Sequence, residues 1–175
     1  MEAPNRRSRR CTRHPFRSRV TERETTRLIA WSTELRRVHA RLRDALELTR
    51  EAVSAGHSTE HAARDLLVYC HGFCAALDGH HQGEDRVLFP AIEQAHPHLT
   101  DVLRSLARDH SMIRHLVLGL RAAVERAAST AELERHLDGI AAIMESHFRY
   151  EEKALLEVLA SLELTADPAA TLGPL

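Results

Sequence analysis

Little in this chain of 175 residues favours a sheet, a membrane span or a covalent cross-link. Glycine (7) and proline (6) are sparse, and aromatic residues make up only 4%. The β-branched and aromatic stretches that build strands are therefore scarce, while Leu and Ala, both good helix formers, dominate an apolar fraction of 43%. No apolar run reaches the roughly 18 residues that a membrane helix needs. No apolar stretch follows the basic N-terminus as a secretory leader requires, so the expected location is cytoplasmic, away from membranes. The three cysteines are odd in number. Cys70 and Cys74 are four apart, which is no CxxC redox pair, and no CxxCH haem attachment sequence occurs. Reduced thiols in a helical core are the expectation.

Acidic charge is missing from one stretch. Residues 1–19 carry seven arginines and a single acidic residue, Glu2. Of 24 basic and 25 acidic residues in total, 17 and 24 remain for the rest of the chain. A basic arm, residues 1–20, thus precedes an acidic body. The arm reads as a flexible leader, with contact to nucleic acid or an acidic partner as the alternative.

Apolar residues recur at steps of three and four in four successive segments, the mark of amphipathic helices. The first opens at Thr21, with Glu24 as a capping-box partner, and runs to about Val53 along Trp31, Leu35, His39, Leu42, Leu46 and Thr49. A second starts near Ser58 along Leu66, Cys70, Phe73, Leu77, His80 and Glu84; Pro90 should kink or loosen it and Pro97 end it. The third spans about Leu99 to Ala128 along Leu103, Leu106, His110, Ile113 and Val117. Ser129 with Glu132 forms a second predicted capping box and opens the fourth, along Leu137, Ile140, Met144, His147, Glu151 and Ala154. Short connections let these faces bury only against one another. The predicted fold is all-α, an antiparallel up-down-up-down four-helix bundle over residues 21–162, with a loose tail over 163–175.

What is abundant is histidine, 13 residues, and position matters more than number. His39, His80, His110 and His147 interrupt four different apolar seams. Glu84 and Glu151 each follow a seam histidine by four residues, so each pair shares a helix face. A single inward histidine is ordinarily a satisfied core residue, but a seam carboxylate without a partner is costly. Six such residues in matched pairs are satisfied together by two cations. Imidazole and carboxylate suit iron, zinc or manganese, and the absence of a nearby cysteine argues against thiolate sites. Ferritin-like sites use Glu-x-x-His motifs and more carboxylates than this set holds. Leu35, Leu77, Ile113 and Met144, next along the seams, would shield the ions from water.

The segment His80-His81-Gln82-Gly83-Glu84-Asp85-Arg86-Val87-Leu88-Phe89-Pro90, with His39, His110 and His147 to Glu151, resembles the hemerythrin-like, or HHE cation-binding, family. The resemblance covers roughly residues 28–160. It implies an antiparallel four-helix bundle with a non-haem di-iron centre, two iron ions with an oxo or hydroxo bridge as a further element. It also implies a small ligand, oxygen, nitric oxide or peroxide, with an electron donor as a further partner. Diatomic-ligand binding is the leading function. A peroxide- or nitric-oxide-processing enzyme and an iron- or oxygen-responsive interaction module are the alternatives.

The oxygen carriers of that family place a second histidine four positions after the first on the third helix, where this chain has Arg114. His115 lies about 100° further round the helix. The carriers also place an aspartate at i+5 on the fourth helix, where Glu152 stands here after Glu151. His81 is the candidate for an additional ligand, against a rim role beside Asp85. Asp85 and Glu152 are expected to orient histidines through their outer ring nitrogens.

Overall fold

The computed structural model describes residues 22–55 and 60–173, with side chains from residues 31 and 64 onward in the two stretches. The basic arm, the Thr21–Glu24 capping box, Cys11 and the exact start of the second helix lie outside the described residues.

Four long helices form: α1 (Glu22–Ala55), α2 (Glu60–Gly83), α4 (Thr100–Glu125) and α5 (Thr130–Ser161). Between α2 and α4 the chain continues through a π-helical turn (Glu84–Leu88), a short α3 (Phe89–Ala95) and a 3₁₀ turn (Pro97–Leu99). α1 packs on α2 and α5, and α4 packs on the same two, so the bundle closes as a ring. The buried stripe of α1 runs Trp31, Leu35, Val38, His39, Leu42, Leu46, Thr49, Val53. α5 buries Leu133, Leu137, Ile140, Met144, His147, Phe148, Glu151, Leu155 and Leu159. On its last turns the fully buried positions are thus Leu155 and Leu159, while Ala154 and Val158 pack at the edge of the core. Cys70 and Cys74 are free thiols in that core. Burial pushes them up to about 11 and about 12 respectively, with Cys70 adding to the effect on Cys74, so both stay protonated.

Pro90 loosens its helix, as expected, without ending it. The turn before it widens, with the Phe89 N–H donating to the Glu84 carbonyl five residues back. A proline has no N–H to give the preceding turn, and a π turn absorbs that loss without breaking the rod. At the head of α5, Ser129 is the N-cap but makes no side-chain cap bond. The predicted capping box is therefore not formed. The Glu132 carboxylate is taken instead by the Arg126 guanidinium, across the α4–α5 turn.

The described part of the tail expected to be loose, residues 163–173, folds back on the bundle. Beyond α5, a one-turn helix α6 (Pro168–Leu172) returns to the bundle, with Asp167 accepting from the Ala169 N–H as its cap (3.3 Å). Thr171 and Leu172 are buried, and the Trp31 indole N–H donates to the Leu164 carbonyl at 3.2 Å. The apolar anchor Leu172 and those backbone bonds replace the helical periodicity that the segment lacks. No helix among the described residues is long and apolar enough to cross a membrane.

Candidate metal centre

Halfway along the bundle, seven histidine and glutamate side chains are buried in a largely apolar core. His39, His80, His81, Glu84, His110, His147 and Glu151 are each at most 2% exposed. They form two adjoining groups, His39, His80, Glu84 and Glu151 in one, and His81, His110 and His147 in the other. Within each group the candidate ligand atoms all lie within 4.8 Å of one another.

The glutamates join the two groups. Glu84 turns Oε1 toward His80 Nε2 and Oε2 toward His110 Nε2, both at 3.5 Å. Glu151 sets Oε2 between His39 Nε2 (3.3 Å) and His147 Nε2 (3.7 Å). His110 Nε2 and His147 Nε2 approach to 3.1 Å. Both glutamates thus sit where a carboxylate would bridge two ions.

The outer ring nitrogens face away from this cavity. His39 Nδ1–H donates to Glu152 Oε1 and His110 Nδ1–H to Asp85 Oδ1, each at 2.8 Å. His80 Nδ1–H donates to the Leu172 carbonyl at 3.1 Å. Asp109 approaches His147 Nδ1 at 3.7 Å. Binding the proton at Nδ1 leaves the Nε2 lone pair pointing inward, the arrangement that metal-ligating histidines show. The Phe148 ring stacks on His39 with centroids 3.8 Å apart. Leu35, Leu77, Ile113 and Met144, each one helical turn from His39, His80, His110 or His147, are buried.

The inward atoms provide the test of fit. His39 Nε2, His80 Nε2, His81 Nε2 and all four oxygens of Glu84 and Glu151 are buried without a hydrogen-bond partner. Orphaned buried polar atoms each cost about 1–3 kcal/mol, more when charged. Their convergence makes sense as a donor set for cations. Burial pushes His80 down to about 3 and His147 to about 4, with the neighbouring His39 and His110 adding to the effect. These imidazoles are neutral at pH 7 and offer a metal a lone pair with no proton to displace. Burial, and then the Glu151 carboxylate, holds the Glu84 carboxyl well above the usual range. On Glu151 burial works the same way, yet the His39, His147 and His80 imidazoles around it outweigh burial and bring its carboxyl below that range.

Helical periodicity alone finds six of the seven residues at the junction. His81 joins them, with its ring stacked on His110 at 4.1 Å between centroids. Its expected alternative, a rim contact with Asp85, does not form, because Asp85 serves His110. Arg114 points outward and donates to Asp78 at 2.8 Å, and His115 is exposed, so α4 presents one histidine to the cluster. Asp109, Phe148 and the Leu172 carbonyl carried no signal in the sequence: the first two are unremarkable by pattern, and the third is backbone.

A comparison with protein families matches the hemerythrin HHE cation binding domain over residues 32–159. The chain belongs to that family. Comparisons with curated proteins and with solved structures return no match. As a hemerythrin-like bundle the protein carries two clusters positioned to chelate a non-haem di-iron centre, with geometry suited to a diatomic ligand.

Proposed function

We propose that this hemerythrin-like protein binds a diatomic ligand, oxygen or nitric oxide, at a di-iron centre held by His39, His80, Glu84 and Glu151 on one side. On the other side His81, His110 and His147 hold the second ion, with the two glutamates shared. The carrying observation is the inequality of the two groups, two imidazoles against three, with each carboxylate also facing a histidine of both groups. With both carboxylates shared, the His39/His80 side would be one donor short, which would leave a place for a small ligand there. When bound, a ferrous pair supplies an open coordination position and electrons for such a ligand. Around it, Glu152, Asp85 and Leu172 hold the outer protons of three imidazoles, and Phe148 keeps the His39 ring from turning. The apolar wall of Leu35, Leu77, Ile113 and Met144 excludes water.

Anaerobic titration of the reduced, iron-loaded protein with oxygen and with nitric oxide tests this reading. The expected result is a saturable spectral change that ends at one ligand per iron pair. A ferrous pair that is indifferent to both gases contradicts it.

A further inference from the structure

The two histidines on the open side are steadied by different means. His39 gives its outer proton to a side chain, Glu152, whereas His80 gives its own to a backbone carbonyl 92 positions further along the chain. That carbonyl belongs to Leu172, in the segment that turns back after α5 and is anchored by Trp31 at Leu164. The approach is one of backbone to backbone. A Cβ at Gly83 would lie 2.7 Å from the Thr171 carbonyl carbon and closer still to its oxygen. At Gly173, where φ is +86°, a Cβ would lie 2.9 Å from the His80 amide nitrogen. Glycine at both positions lets the strap lie against the very turn that carries His80.

A segment that merely plugged the bundle could rest any apolar side chain on it. This one brings two main chains together and delivers its carbonyl to a ligand ring. We propose that residues 166–173 act as a positioning strap of the metal centre. In this arrangement the Leu172 carbonyl fixes the Nδ1–H tautomer and the direction of His80, and so sets how firmly the His39/His80 ion is held and at what potential. An N–H donated to a carbonyl makes the opposite nitrogen more basic, which favours the ferric ion. The tautomer part stands on the protein alone, while the ion part rests on the di-iron reading.

Two variants displace the strap without touching a ligand. Gly83→Ala adds a methyl where Thr171 lies while raising helix propensity, and Leu172→Ala removes the buried anchor but keeps the carbonyl. In metal-free protein, nitrogen NMR of the His80 ring should report the Nδ1–H tautomer in wild type and its loss in both variants. Hydrogen exchange of residues 162–173 should quicken in parallel. In iron-loaded protein, a chelator should remove iron about tenfold faster from each variant, and the reduction potential should rise. Leu133→Ala, a core truncation in the first turn of α5, should leave the His80 tautomer and the potential unchanged. Faster exchange with an unaltered tautomer and potential would reduce the strap to a plug, and unaltered exchange in both variants would overturn the packing itself. Wild-type protein that takes up no iron would sink the di-iron reading, while the tautomer result would still decide the strap.

Discussion

Glu84→Gln is expected to strip the centre of its iron while leaving the metal-free bundle as stable as wild type. Glu84 is the residue whose two oxygens face two different histidines, His80 and His110. The amide keeps the volume and loses the anionic bridge. Loss of an outer-sphere partner alone commonly costs 10–100-fold in metal affinity, so loss of a shared ligand should exceed about 100-fold. Iron should fall from two per chain to below one. In metal-free protein the Glu84 carboxyl is already held toward its neutral form, chiefly by burial. A neutral amide therefore costs little there, and the melting temperature should stay within about 4 °C of wild type, the shift that roughly 1 kcal/mol produces in a chain of this size. Metal analysis and melting curves after chelation read the two halves separately. Full iron occupancy in the glutamine variant would remove Glu84 from the donor set.

His81→Ala separates the two ions. The substitution leaves His39, His80, Glu84 and Glu151 intact and reduces the second group to His110 and His147. One iron per chain should remain where wild type holds two, and the optical features of a coupled pair should vanish. His115→Ala, on an exposed position of α4, should keep both irons. Truncating a buried ring also opens a cavity, worth about 2–5 kcal/mol for large core side chains, so a melting curve of the metal-free variant accompanies the count. Two irons and an unchanged spectrum in the His81 variant would return that residue to a spectator role.

These two residues also mark how far the sequence could be read. His39, His80, Glu84, His110, His147 and Glu151 fall on seams of period 3.6, and periodicity alone is enough to turn them inward. His81 is one residue off its seam. It enters because α2 is still regular helix there, and a position four after Leu77 and three before Glu84 lies on the same buried face. Asp85 and Glu152 were legible as carboxylates near histidines. Which histidine each serves was not, because both reach across to another helix, Asp85 to His110 on α4 and Glu152 to His39 on α1. Ser129 and Glu132 have capping-box spacing, yet Arg126, six residues before Glu132, competes for the carboxylate and wins it. The C-terminal strap was the least legible part. Its hold depends on two glycines, one anchor leucine and a backbone carbonyl, and none of these makes a pattern along the chain.

A pair of irons on a shared set of histidines and glutamates is read out by counting metal in iron-replete protein and recording its Mössbauer spectrum. Two irons per chain are expected, spin-coupled through shared ligands, with two inequivalent sites that reflect two imidazoles on one side and three on the other. A single uncoupled iron per chain, or zinc in place of iron under iron-replete conditions, would contradict it.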